Sequence, residues 1–179
     1  MVILSMDQGI ASFGFAIFSV DKNGVELLKS GCYTSTANGN QQKRIYNLMS
    51  KIEKLIVEYK PTYMVHERLF FSPPAKNSRK KSASILNTNM ITGVLWYLAA
   101  KHNALIAQFS PQTVKKTLCG NGRAEKEDVI KYIEERFEIN CPITHKEHMC
   151  DAIAIGLTYI EQLKKAGAFN DSETFAEEV

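Results

Sequence analysis

The sequence predicts an α/β protein: a five-stranded mixed sheet, three antiparallel strands followed by two parallel ones, flanked by helices on both faces. Two observations carry this. The chain opens with three short apolar or β-branched runs, "MVILSMD", "FGFAIFSV" and "GVELLKSGCYT", separated by turn signals that include "DKNG". That pattern reads as an antiparallel meander. From residue 40 onward, segments with helical periodicity alternate with brief extended runs.

The elements follow in order. From Asn40 to Tyr59, the apolar residues Ile45, Leu48, Ile52, Leu55 and Ile56 recur at helical spacing, and Pro61 stops the helix. "TYMVHE" (62–67) is a brief strand that ends in a carboxylate, as the first strand ends in Asp7. "SPPAKNSRKK" (72–81) pairs prolines with Lys76, Arg79, Lys80 and Lys81, has no acid, and predicts a mobile loop. A helix over Ser82–Lys101 follows, then a strand "ALIAQF" (104–109) and a helix opening at Ser110-Pro111. A glycine loop "CGNGRAEK" (119–126) leads to a helix from Lys126 to Phe137. The last helix is expected at Thr144, because Thr144-x-x-Glu147 matches a capping box. One domain is expected over 1–165, with a flexible acidic tail over 166–179.

Composition excludes several classes. A chain of 179 residues, 45% hydrophobic and 23% charged, is an ordinary globular protein able to bury a core without staples. It has no basic segment followed by a long apolar run at its start, and no apolar stretch long enough to span a membrane. These absences predict a cytoplasmic location, in a bacterial cell or in the host cytoplasm of a phage. Cys32, Cys119, Cys141 and Cys150 form no C-x-x-C pair, which favours reduced thiols. Net charge is +3, yet the final ten residues carry Asp171, Glu173, Glu177 and Glu178 with no base. The body is therefore more basic than the total, which suits a polyanionic partner.

The chemistry gathers at predicted element ends. Asp7 follows an apolar strand, so it lies at the sheet edge or is buried and paired; alone, it also fits a turn-starting aspartate. Alternation on "YMVHE" puts Tyr63, Val65 and Glu67 on one face, so Glu67 continues an apolar face and needs a partner, a salt bridge or a site. His148 and Asp151 are three apart and share a helix face, as a surface hydrogen-bonded pair also would. Carboxylates packed together resist full ionisation without cations. Hard oxygens with one imidazole suit Mg²⁺ or Mn²⁺ rather than structural Zn²⁺. A zinc reading of Cys141, His145, His148 and Cys150 lacks the paired knuckle, and Cys150 and His148 point to different helix faces. Glu147 is left to the cap and Cys150 to the core.

Four blocks resemble the RuvC Holliday-junction resolvases, a family with the RNase H-like fold: "ILSMDQGIASFGFAIF", "MVHERLFF", "SPQTVKKTLCGNGRAEKEDV" and "HMCDAIAIGLTY". Their order and spacing agree with the family over roughly residues 2–163. The resemblance implies that Asp7, Glu67, His148 and Asp151 are metal-binding catalytic positions, with Lys126 also catalytic and Lys115 near the scissile phosphate. It implies two Mg²⁺ ions per site, with Mn²⁺ as a substitute, and a branched-DNA substrate, above all four-way junctions. Phe70, with Phe71 as the adjacent alternative, matches an aromatic that contacts junction bases. Lys76, Arg79, Lys80, Lys81, Lys116 and Arg123 are further expected DNA contacts. Gln8 departs from the family's usual proline, and the 72–81 loop departs from cellular members; the small chain is closer to phage-encoded ones.

On the 82–101 helix, Leu86, Met90, Val94 and Tyr97 form one apolar stripe, and Ile91, Leu95, Leu98 and Ala99 a second. A helix apolar on two sides is buried on both, which predicts a twofold homodimer. The expected activity is paired nicking of four-way junctions by metal-assisted hydrolysis. Activity should fall below the His148 pKa, ordinarily about 6.5. One rival reading is a nuclease of broader range that cuts flaps, forks and three-way branches. Two others are a fragment of an actin-like ATPase or kinase and an inactive junction-binding protein.

Overall fold

The computed structural model describes residues 1–35, 40–68, 79–139 and 141–168, with 79–87 described in backbone only. The sheet order is β3-β2-β1-β4-β5. Strands β1 (Val2–Asp7), β2 (Ser12–Asp21) and β3 (Gly24–Thr34) form the antiparallel meander, while β4 (Tyr63–Glu67) and β5 (Leu105–Phe109) add in parallel beyond β1. The predicted mixed sheet is thus present, three strands antiparallel and two parallel.

Period-two alternation sorts β1 between two cores. Leu4 and Met6 face α1 (Gln41–Tyr59) and α2 (Arg79–Lys101), where Ile52, Leu55, Ile91 and Leu95 close the layer. Ile3 and Ser5 face the opposite layer of α3 (Pro111–Cys119), α4 (Lys126–Glu134) and α5 (Ile143–Lys165). Asp7 continues that second set. On β4, Val65 packs into the α5 layer and Met64 into the other, so Glu67 also belongs to the α5 face. Because Met6 pairs with His66 in parallel register, Asp7 and Glu67 leave neighbouring strands side by side, roughly 5 Å apart along the hydrogen-bonding direction.

Local chemistry explains the element ends. Asn40 caps α1, accepting from the Lys43 amide at 3.3 Å, and Ser110 caps α3 from Thr113 at 3.1 Å with Pro111 at the first turn. Glu125 and Asp128 form a reciprocal box that starts α4 at Lys126.

Two expectations need correction. The final helix begins at Ile143 with Pro142 at its N-cap, so Thr144 caps nothing and Glu147 is free for another contact. Proline fits that position with its preset φ, and its carbonyl accepts from both His145 and Lys146. Arg79, Lys80 and Lys81 open helix α2 instead of closing the 72–81 loop; their side chains lie outside the described residues.

Helix α5 lies unusually close to the sheet. A Cβ on Gly14 would stand 1.9 Å from the His148 carbonyl oxygen, and one on Gly156 would stand 2.4 Å from the Phe18 ring. Between them, the buried Ser5 hydroxyl donates to the Ala152 carbonyl at 2.7 Å. Gly14 sits opposite Asp7 in the β1–β2 register, so its missing side chain admits the helix turn that carries His148. Gly14→Ala should therefore lower stability by about 1–3 kcal/mol and depress activity further by displacing His148. Denaturant unfolding checks the first effect, and an unchanged midpoint would show that the close approach is not needed.

Candidate active site

Four of the residues singled out in the sequence meet at one sheet edge. His148 Nδ1 lies 2.7 Å from Asp7 Oδ2, joining β1 to the first turns of α5. Asp151, one turn further along, pairs with Lys126 Nζ at 3.1 Å; Lys126 also contacts Glu147. A cleft of about 230 Å³ opens beside them, lined by Glu67, Lys115, Lys126 and Asp151. Lys115 and Lys126, predicted as phosphate-side cations, are thus in the cleft. Lys116 and Arg123 are exposed and do not line it. Phe70, Phe71 and Lys76 lie outside the described residues.

The electrostatics show what the cluster lacks. Burial, reinforced by the charges of Asp7 and Asp151, pushes the Glu67 carboxyl up to about 7, against a smaller opposing pull from Lys126. Asp151 is also raised, first by burial and then by Asp7, with Lys126 working against both. His148 is raised because its hydrogen bond to Asp7 outweighs burial. Burial pulls Lys126 down, but Glu147 and Asp151 more than reverse that, so it stays an ammonium. The site has more negative charge than Lys126 and an imidazolium neutralise.

Among the described residues, no three His, Cys, Asp or Glu side chains stand as a ready-made ion cage, since Asp7 is turned to His148 and Asp151 to Lys126. The donor chemistry nonetheless fits a hard divalent cation: converging carboxylates, one of them raised to about 7 by burial and then by its acidic neighbours, plus one imidazole. Cys150 is no part of it. Its thiol is fully buried in the core and pushed up to about 11 by that burial.

Two residues hold the Glu67 carbonyl: His66, to which the sequence assigned no role, and Gln8, noted there only as a departure from proline. The Trp96 indole N–H, which can only donate, reaches His66 Nε2 at 3.1 Å. That nitrogen must therefore accept, and the proton sits on Nδ1, which donates to the Glu67 carbonyl at 2.9 Å. Gln8 Nε2 donates to the same carbonyl at 3.0 Å and to Thr92 Oγ1 at 3.2 Å, which gives the residue standing in place of proline a role. His66→Asn, whose amide nitrogen stands near Nδ1, should keep most activity. His66→Leu should lose about tenfold or more in kcat with junction affinity unchanged. Single-turnover cleavage compared with binding separates the two, and equal rates for Asn and Leu would remove His66 from this role.

Carboxylates ending two adjacent strands of a β3-β2-β1-β4-β5 sheet, with a helix laid across them, give the chain an RNase H-like fold. The sequence matches the family "Crossover junction endodeoxyribonuclease RuvC" over residues 3–159. A RuvC of Natranaerobius thermophilus is 30% identical over 159 residues, covering 89% of this chain and 94% of that one. A RuvC of Rickettsia akari is 29% identical over 158 residues, covering 88% and 96%. The fold is similar to Thermus thermophilus RuvC solved with Holliday junction substrate, with TM-score 0.77 at 20% identity over 93% of this chain and 96% of that one. It is also similar to the yeast mitochondrial Holliday junction resolvase Ydc2, with TM-score 0.63 at 17% identity over 91% and 80%. The chain belongs to the RuvC family of crossover junction endodeoxyribonucleases. It is accordingly a junction-resolving endonuclease that depends on a divalent metal.

Proposed function

We propose that the protein resolves four-way DNA junctions by paired nicks, one from each subunit of a homodimer, with Asp7, Glu67, His148 and Asp151 holding two Mg²⁺ ions. The observation that supports this most is the meeting of Asp7 and Glu67, from neighbouring strands, with His148 and Asp151 from one helix face. Bound Mg²⁺, or Mn²⁺ in its place, supplies Lewis acidity and a water acidic enough to attack at neutral pH. The chain's own residues do the rest. Glu67 gives up the proton its burial favours, and His148 gives up the one Asp7 stabilises, before either is a ligand. Lys126 and Lys115 set two cations in the cleft beside the position of the scissile phosphate.

Both proton losses predict an acid limb. Cleavage should fall as pH drops through about 7, where Glu67 protonates, with His148 contributing above its ordinary 6.5. A single-turnover rate that stays flat down to about pH 5 would remove both from the metal set.

The dimer rests on α2. Ile91, Leu95, Leu98 and Ala99 are buried against the sheet, while Met90, Trp96 and Tyr97 remain 44%, 51% and 64% exposed. That leaves an apolar outer face for a second copy. Residues 1–165 act as one nuclease domain. No helix among the described residues is long and apolar enough to cross a membrane, and the cytoplasm is the proposed place of action. Cleavage of matched four-way, three-way, flap and linear DNA tests the substrate. Preference for the four-way form is expected; equal cutting of three-way and flap DNA would replace it with the broader branched-DNA reading.

A further inference from the structure

A second basic groove lies between β3 and α1, away from the carboxylate cleft. It has a volume of about 460 Å³ and is lined by Ser35, Arg44, Asn47, Ser50, Lys51 and Lys54, with Thr34 and Leu48, and no carboxylate. Arg44, Asn47, Lys51 and Lys54 are spaced three, four and three apart, so they form one stripe along α1. From Arg44 to Lys54 the stripe runs about 15 Å along the helix axis, the axial length of about four phosphates on one DNA strand.

The acid nearest this stripe in sequence, Glu53, is turned elsewhere. It accepts from Lys101 at 2.8 Å and lies 3.0 Å from His102 Nε2, toward α2. Lys51 rests its ammonium 5.1 Å from the Tyr33 ring centroid, a cation–π contact with β3. Lys54 is exposed.

The near end of the groove is fastened to the catalytic edge. Arg44 Nε donates to Ser35 Oγ at 3.0 Å, its Nη2 reaches the Ile10 carbonyl at 3.5 Å, and Ser35 Oγ donates to that same carbonyl. Ile10 lies in the turn that directly follows Asp7. The Arg44 end of the stripe is thus bonded to the turn after β1.

We propose that this groove binds the phosphate backbone of a duplex arm of the junction, outside the crossing point. The proposal rests on the junction reading above. Fixed cations with hydroxyl and amide donors between them suit sequence-independent phosphate contact, which positions a duplex without reading its bases.

The test uses an immobile four-way junction with arms long enough to pass the groove, and the same junction with arms trimmed short of it. Asp7→Asn serves as the background so that binding is measured without cutting. Lys51→Gln with Lys54→Gln removes two exposed charges, and Lys51→Glu with Lys54→Glu reverses them as a second variant. On long arms the neutral pair should weaken binding about tenfold and reduce the slope of log K against log salt by about 1.8, at 0.9 per phosphate. On trimmed arms it should bind like its parent. Equal affinity on long arms, or an equal loss on trimmed ones, overturns the groove. If the parent binds junctions no better than linear duplex, the junction reading fails instead. The groove is then judged by the same comparison on long and short linear duplexes.

Discussion

Asp7→Asn is expected to bind a four-way junction as tightly as the native chain and to lose its cleavage. The substitution is nearly isosteric, and Asp7 is only 17% exposed at the end of a strand whose register is set by β2 and β4, so the fold has little reason to change. What disappears is the charge that holds His148 Nδ1 at 2.7 Å and that lies on the strand beside Glu67. A loss of about a thousandfold or more is expected, comparable with removing a preorganised electrostatic group from other active sites. Single-turnover cleavage and a gel-shift titration on the same junction measure both halves. Cleavage within tenfold of native would take Asp7 out of the catalytic set.

Glu67→Gln separates stability from activity. The folded-state carboxyl titrates at about 7, raised from an ordinary 4.5 by burial and by Asp7 and Asp151. The folded protein therefore holds this proton more tightly than the unfolded chain. The native protein loses stability as pH rises from about 4.5 through 7, because a buried anion forms beside two others. Glutamine never ionises. Without divalent cations, the variant should melt at the native temperature at pH 5 and higher at pH 8, with each kcal/mol regained worth about 2–4 °C. Adding Mg²⁺ at pH 8 should raise the native midpoint more than the variant's, while cleavage by the variant is lost. Melting curves that differ by the same amount at both pH values would mean that Glu67 is not the strained anion described here.

The parts of the site that obey local periodicity were legible in the sequence. Alternation on "YMVHE" placed Glu67 on the same face as Tyr63 and Val65, and the three-residue spacing placed His148 and Asp151 on one side of α5. The same rule sorted α1, whose Leu48, Ile52, Leu55 and Ile56 are all buried. The parts that depend on distant partners were not legible. Glu147 fits a capping box on spacing alone, but Lys126, 21 residues away, takes its carboxylate, and Pro142 starts the helix two residues earlier than Thr144. Nothing in the strand pattern marks His66, because Trp96, which fixes its tautomer, is 30 residues off. Gly14 reads as an ordinary strand glycine until the His148 carbonyl is seen to lie where its side chain would be. Trp96 itself fell between the two stripes read on α2, yet it lies on the exposed outer face of that helix.

The central claim is that the carboxylates at this sheet edge cut junction DNA through bound divalent ions. Denaturing-gel mapping of nicks on an immobile four-way junction, with Mg²⁺ and with excess chelator, tests it most directly. The expected result is a pair of nicks on opposing strands, symmetric about the crossing, present with Mg²⁺ and absent with chelator. Nicks that persist in chelator, or an intact junction in saturating Mg²⁺, would contradict it.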